Sequence, residues 1–219
     1  MRPRAPLFGD RIDAGRRLAR EIAPSDEPTV VYGLARGGVP VAAIVAEALG
    51  AGLDALVVRK IGHPDHPEFA LGALTRGHVV LMHGLDRQAD GLQDHIDRVA
   101  DEARRLDTQL HSQIPPIDPR GMVAILVDDG LATGATMAAA CEWARAGGAT
   151  RVVVAVPVAA ADSLSALGKS AEAVVCHHPI VDFHAVSLWY GDFSPVPMSE
   201  VIRLVRGARE GDAAERRGA

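Results

Sequence analysis

"MVAILVDDGLATGATM", residues 122–137, is the stretch on which the fold turns. Met122 to Val127 form an apolar, β-branched run of the kind that fills a strand buried on both faces. The run ends in two adjacent carboxylates, Asp128 and Asp129. Like charges side by side cost energy unless a cation or a hydrogen-bond donor meets them. Behind the pair comes a loop of mostly small or hydroxylated residues, Gly130, Leu131, Ala132, Thr133, Gly134, Ala135 and Thr136, and then a helical pattern near 136–147. Gly130 and Gly134 permit backbone angles that other residues resist. Short side chains leave the loop amides open, and the helix adds its positive end, a combination that binds phosphate. Thr133 and Thr136 add hydroxyl donors. The two carboxylates can accept hydrogen bonds from a vicinal diol and help hold a divalent cation. A diol at one end and a phosphate at the other describe a ribose 5′-phosphate. An N-cap turn with an incidental acid pair accounts for less of this ordered set.

Outward from that stretch, strands and helices alternate. "DRIDAGRRLAREIA" (10–23) reads as an amphipathic helix with Ile12, Leu18, Ala19 and Ile22 inward. "TVVYGLA" (29–35) reads as a strand, "VPVAAIVAEALG" (39–50) as a helix stopped by Gly50, and "LDALVVR" (53–59) as a second strand. "KIGHPDHPEFALGAL" (60–74) carries two prolines and two glycines and predicts a long loop. "HVVLM" (78–82) is a short strand, and 86–113 is polar with a helical period. After the opening strand and helix come a strand at 151–158, a short helix and a strand at 171–176. The alternation predicts an α/β fold, a parallel sheet with helices on both faces. Ligands of such sheets sit at the carboxyl ends of the strands, where Asp128 and Asp129 lie.

The totals narrow the class. The chain has 219 residues, is 48% hydrophobic and carries a formal charge of −5. That suits one domain over 1–210, with "REGDAAERRGA" ending in a disordered tail at 211–219. The mild acidity gives no support to a nucleic-acid surface. Cys141 and Cys176 form no CxxC pair and read as buried apolar residues of a reduced, cytoplasmic protein. "MRPRAPLFGDR" lacks the apolar segment of a signal peptide, and no apolar run of the required ~18 residues predicts a membrane span. His63, His66 and Glu68 suggest a metal site only weakly, because prolines between them forbid helical ligand spacing. His177 and His178, if extended, point to opposite faces.

Four segments together resemble the type I phosphoribosyltransferases: "FGDRIDAG" (8–15), "RGGVPVA" (36–42), "VRKIGHPDHPE" (58–68) and "VDDGLATGATM" (127–137). The resemblance runs from about Phe8 into the 190s, and is closest to a group of bacterial proteins named only as phosphoribosyltransferases. It implies the phosphoribosyltransferase fold with a small hood subdomain, built from the N-terminal region and about 177–197. It also implies phosphoribosyl pyrophosphate (PRPP) and Mg2+ as ligands, a small-molecule acceptor and a homodimer. The contacts it implies for PRPP are Ala35, Arg36, Gly37, Gly38, Arg59, Lys60, Asp128, Asp129 and the loop Gly130–Thr136. It further implies that Arg36, Lys60, Asp128 and Asp129 carry the chemistry, with the two aspartates holding magnesium partly through PRPP or water. The physical reading agrees for "LARGG" (34–38), whose glycines expose amides beside a guanidinium suited to phosphate. Residues 60–74 stand where the family keeps a mobile closing loop. One departure bears on the acceptor. Relatives that use 6-oxopurines carry an aspartate where this chain has Ala132. That argues against hypoxanthine, guanine or xanthine and leaves other acceptors open.

Four of the eight aromatic residues crowd one segment: Phe183, Trp189, Tyr190 and Phe193. Trp189, Tyr190 and Phe193 are candidates to stack on a planar acceptor, with Asp192 reading its edge. A satellite core or dimer contact is an equal alternative for these aromatics. Two other functions fit the same residues: a PRPP- or nucleotide-sensing regulator without turnover, and a biosynthetic transferase with an unusual acceptor. Intact Arg36 and Lys60 favour catalysis, because a sensor has less need of a leaving-group clamp.

Overall fold

The structure, a computed structural model, describes residues 5–63, 70–76, 78–81, 92–112, 114–168 and 170–218. In chain order the elements are α1 (Arg11–Ala19), β1 (Thr29–Ala35), α2 (Gly38–Leu49), β2 (Gly52–Val57), β3 (Arg59–Gly62), β4 (Ala70–Thr75), β5 (His78–Leu81), α3 (Leu92–His111), β6 (Val123–Val127), α4 (Ala135–Ala146), β7 (Arg151–Ala160), α5 (Ala161–Leu167) and β8 (Ala173–Ile180), followed by a short helical turn at Val186–Trp189 and α6 (Met198–Gly218). Five strands form one parallel sheet in the order β2-β1-β6-β7-β8. The chain leaves β1 toward β2 on one side and returns to place β6 on the other, so the order reverses between β1 and β6. A crevice opens at such a reversal, outside the carboxyl ends of the strands.

Both faces of the sheet are covered, which explains why its strands read as continuous apolar runs. Along β6, Val123, Ile125 and Val127 join a core with Val45 of α2, Leu110 of α3 and Val205 of α6. Ala124 and Leu126 face the other way, into a core with Met137, Cys141 and Trp143 of α4 and Leu167 of α5. A third, smaller core gathers Phe8, Ile180, Trp189 and Tyr190, with Phe183 and Phe193 packed against it. It lies where the N-terminal segment meets the chain after β8: Gly191 N–H donates to Phe8 O at 2.8 Å and Asp192 N–H to Gly9 O at 2.8 Å. No described helix is long and apolar enough to cross a membrane.

Two segments depart from the sequence reading. The stretch expected as a loop at 60–74 contains two strands. β3 and β4 pair antiparallel, and β4 pairs with β5, making a separate three-stranded sheet. The prolines that suggested a loop, Pro64 and Pro67, lie with His66 and Glu68 outside the described residues, and Ile61 and Leu71 on either side are buried. The tail expected to be disordered from 211 is instead the end of α6, which runs to Gly218. Alanine, glutamate and arginine in "DAAERR" have high helix propensity, which extends a helix already nucleated by packing.

One cluster of charge is built into the core. Asp54, in the middle of β2, is fully buried. Its carboxylate accepts Ile117 N–H at 2.9 Å and lies 3.2 Å from His111 Nε2 and 3.2 Å from Arg209 Nη2. Arg76 Nη2 stands 4.0 Å from Asp54, and its Nε donates to Asp107 at 3.1 Å. The cluster therefore ties α3, α6 and the β4–β5 turn to the edge strand of the sheet. Burial opposes protonation of His111, but Asp107 and Asp54 outweigh it and its pKa rises to about 9. A folded-state pKa above the ordinary value means that the charged ring stabilises the fold. Its contribution should be fully present below the ordinary histidine value and lost as the pH rises through about 9. Urea unfolding between pH 6 and 10 should show this loss, and His111→Gln should remove most of the slope. An equal slope in the variant would assign the pH dependence to other groups.

Candidate functional site

The site grows from the neighbouring ends of β1 and β6. Gly33 pairs with Val127, so the residues beyond them, Leu34 to Gly38 and Asp128–Asp129, leave the sheet side by side. They open into a cleft of ≈ 560 Å³ lined by Ala35, Arg36, Gly37, Arg59, Asp128, Asp129 and Thr136, and by Arg11 and Phe193. Val57, Leu106, Val196 and Met198 supply apolar wall.

The two glycines of the β1 loop are required by contact. A Cβ on Gly37 would stand 2.1 Å from Asp129 Oδ2, and one on Gly38 would stand 2.5 Å from Val127 O. The loop is pressed against the acid pair, and only glycine permits that approach. The peptide between Ala35 and Arg36 is cis. Arg36 itself is exposed at the mouth of the cleft.

The acid pair is nearly enclosed. The Asp129 side chain is 13% exposed, and Arg11 Nε donates to its Oδ2 at 2.8 Å. Asp129 N–H donates to Asp128 Oδ1 at 2.9 Å, and Tyr190 Oη donates to Asp129 O at 2.6 Å. Burial pushes the Asp128 carboxyl well above the usual carboxylate range, and the Asp129 charge beside it adds to the rise. Burial raises Asp129 as well, against the pull of the Arg11 guanidinium. The pair is thus held short of counter-charge, which suits it to a diol or to a cation arriving with its own ligand. Among the described residues no three His, Cys, Asp or Glu side chains gather as a metal site.

The loop after β6 divides its labour. Leu131 N–H donates to Val158 O at 2.9 Å, Leu131 O accepts Ala160 N–H at 2.9 Å, and the Leu131 side chain is buried. This residue pins the loop to β7 and has no amide to offer a ligand, contrary to its expected place among the phosphate contacts. Gly130 owes its identity to packing, since a Cβ there would meet Val186 Cγ1 at 2.5 Å. Gly134 adopts φ +78 and starts α4 with no side-chain cap. The first amides of α4 have no intrahelical acceptor, so they remain open to an anion. Ala132 and Thr133 are exposed, and Ala132 O accepts Ser163 Oγ at 2.5 Å.

Some expected residues sit elsewhere. Arg59 lines the cleft, whereas Lys60, the next residue of β3, is exposed and outside the lining; successive side chains of a strand point to opposite faces. Trp189 and Tyr190 are each 6% exposed and belong to the small aromatic core, so they support the cleft wall from behind and offer no face for stacking. Asp192 accepts Ser194 N–H at 2.9 Å and Ser194 Oγ at 2.6 Å, which commits its carboxylate to a turn. Phe193 alone of the four aromatics reaches the cleft. Arg11 was missed as a site residue, because its helix reads simply as amphipathic; the signal was the "FGDRIDAG" segment itself. His66 and Glu68, the rest of the weak histidine cluster, lie outside the described residues.

Residues 9–187 match the family model of the phosphoribosyl transferase domain. The chain is 41% identical over 219 aligned residues to proteins of two Mycobacterium tuberculosis strains, CDC 1551 and H37Rv, each named "Putative phosphoribosyl transferase". The match covers 95% of this chain and 48% of theirs, so the chain spans about half the length of these curated relatives. The crystal structure of TT1426 from Thermus thermophilus superposes with a TM-score of 0.78 at 42% identity, covering 90% of this chain and 97% of that one. With strands, glycine loop and acid pair in one arrangement, and a family model over most of its length, the chain belongs to the phosphoribosyl transferase domain family.

Proposed function

We propose that this chain transfers the 5-phosphoribosyl group of PRPP to a small planar acceptor with release of pyrophosphate. The observation that carries the reading is the meeting of the Arg36–Gly38 loop and the Asp128–Thr136 loop around one cleft, at the reversal of strand order. The acid pair lies directly against Gly37 and Gly38, so diol and phosphate recognition would fall on one side of it and leaving-group recognition on the other. Asp128 and Asp129 accept the ribose hydroxyls. The amides of Thr133 to Thr136 hold the 5′-phosphate. Gly37, Gly38, Arg36 and Arg59 take the pyrophosphate.

In the transfer, the bond from the anomeric carbon to pyrophosphate breaks and a bond to the acceptor forms. Positive charge builds on the sugar and negative charge on the leaving group, so the protein's work is positioning and charge stabilisation. The buried carboxylates lie beside the developing sugar cation, and the arginines lie toward the developing pyrophosphate charge. The hard oxygen donors of Asp128 and Asp129 fit magnesium, whose remaining ligands would come from PRPP and water. When bound, the metal would draw charge from the pyrophosphate oxygens. The apolar wall of Val57, Leu106, Phe193, Val196 and Met198 suits the flat face of an acceptor.

Pyrophosphate release from PRPP against a panel of acceptors tests the reading. Turnover with at least one planar acceptor is expected, and hypoxanthine and guanine should be poor, because Ala132 offers no carboxylate to a purine N7–H. Efficient use of either would overturn the Ala132 argument, and no release with any acceptor would favour the sensor reading.

Two sets of substitutions test the walls separately. Asp128→Asn and Asp129→Asn should each weaken PRPP–magnesium binding by about tenfold or more, as loss of a charge-assisted hydrogen bond requires. Unchanged calorimetric affinity in both would remove the sugar assignment. Arg59→Ala should lower turnover by roughly a hundredfold if the guanidinium meets the leaving group, and Lys60→Ala should lower it less. The reverse order would return the leaving-group role to Lys60.

A further inference from the structure

Arg11 is the charged side chain that joins the acid pair to the segment carrying Phe193 and Ser194, beside Tyr190, whose hydroxyl donates to Asp129 O at 2.6 Å and whose ring centroid lies 5.0 Å from that of Phe193. Arg11 is 11% exposed and comes from the first turn of α1, far in sequence from everything it contacts. Its Nε donates to Asp129 Oδ2 at 2.8 Å, which fixes that carboxylate on the sugar side. Its Nη1 donates to Ser194 O at 2.9 Å. Its guanidinium plane covers the Phe193 ring, 3.9 Å from the centroid. Phe193 and Ser194 follow the Val186–Trp189 turn, in a segment with little regular structure. That segment is also held by backbone bonds from Gly191 and Asp192 to the N-terminal segment, by the Asp192–Ser194 turn and by the Tyr190 ring against Phe193.

The geometry points to Arg11 as a positioning residue that couples the two halves: sugar binding at Asp129 and ordering of the Phe193–Ser194 wall are one event. This rests on the phosphoribosyl reading above. The physical reason is the fork. A guanidinium is planar and rigid, so its donors and its stacking face cannot be reoriented independently. When a ribose hydroxyl draws Asp129 into a fixed orientation, the guanidinium is fixed with it, and the wall that it clasps loses freedom. Lysine in place of Arg11 could still neutralise Asp129, but it has no second arm for Ser194 O and no plane for Phe193.

Hydrogen exchange and calorimetry on the whole chain, with PRPP and magnesium as the probe, separate these roles. In the unsubstituted protein, saturating PRPP–magnesium should protect both the phosphate loop and the amides of Gly191, Asp192 and Ser194. Arg11→Gln should bind PRPP about tenfold more weakly. At saturation it should keep the phosphate-loop protection and lose that at 191–194. Arg11→Lys should recover affinity to within about threefold, because charge alone serves Asp129, yet leave 191–194 unprotected. Phe193→Ala, which removes the ring under the guanidinium, should likewise lose protection at 191–194 while the phosphate loop stays protected. Protection at 191–194 in Arg11→Gln equal to that of the unsubstituted protein would overturn the coupling. So would tighter PRPP binding in that variant, which would make Arg11 a competitor of the sugar. Absence of PRPP binding by the unsubstituted chain is a different failure, visible before any variant is made, and it would remove the phosphoribosyl reading and this inference together.

Discussion

Two adjacent carboxylates buried at the end of a strand are the constraint around which this molecule is arranged. Asp128 and Asp129 stand where the strand order reverses, in a place that the sheet leaves open but that side chains have nearly closed. An isolated buried charge is costly, and a pair more so. The structure meets the cost locally. Asp129 lends its own amide to Asp128, and Arg11 reaches in from α1 to Asp129. The β1 loop closes so tightly that Gly37 and Gly38 have no room for a Cβ. The charge that remains uncompensated is the capacity to bind, and a diol with a divalent cation is the chemistry that would use it.

The same constraint explains the additions to the sheet. Arg11 can reach Asp129 only if α1 is anchored, and the anchors are its packing on α2, where Gly15 has no room for a Cβ beside Ile44, and the small aromatic core in which Phe8 packs on Tyr190, ring centroids 5.2 Å apart. Tyr190 in turn bonds the backbone of Asp129 through its hydroxyl. The aromatic segment and the N-terminal segment thus form one support for the acid pair. On the far side, Asp54 with Arg76, His111 and Arg209 fastens α3 and α6 to the edge of the sheet, and α3 brings Leu106 to the cleft wall. Removing one partner of such a buried network would leave a charge without compensation, which is why it reads as a fastening.

The parallel sheet was legible because period and composition there are dictated by burial on both faces. Val123 to Val127 could hardly be anything but an inner strand, and the acids that follow it could not be placed in a core without a reason. The loop after β6 was legible as a loop, yet the neighbours of Leu131 and Gly130 were not. Leu131 is a pin to β7 and Gly130 a packing contact with Val186, facts set by neighbours distant in sequence. Trp189 and Tyr190 show the same limit. An aromatic residue near a site can face the ligand or hold up the residue that does, and the choice depends on Phe8, at the other end of the chain. Arg11 escaped for a related reason: on a helix wheel it is one more arginine, and its role appears only when α1 is laid beside the end of β6. The small antiparallel sheet was missed because prolines in the middle of the segment outweighed the short strands on either side of them.

A crystal structure of the chain grown with magnesium and PRPP tests the central claim most directly. The account predicts the ribose hydroxyls within hydrogen-bonding distance of the Asp128 and Asp129 carboxylates, the 5′-phosphate against the amides of Thr133 to Thr136, and the pyrophosphate on the Arg36–Gly38 loop. PRPP bound with its sugar away from the acid pair, or no PRPP in the cleft at saturating concentration, would contradict it.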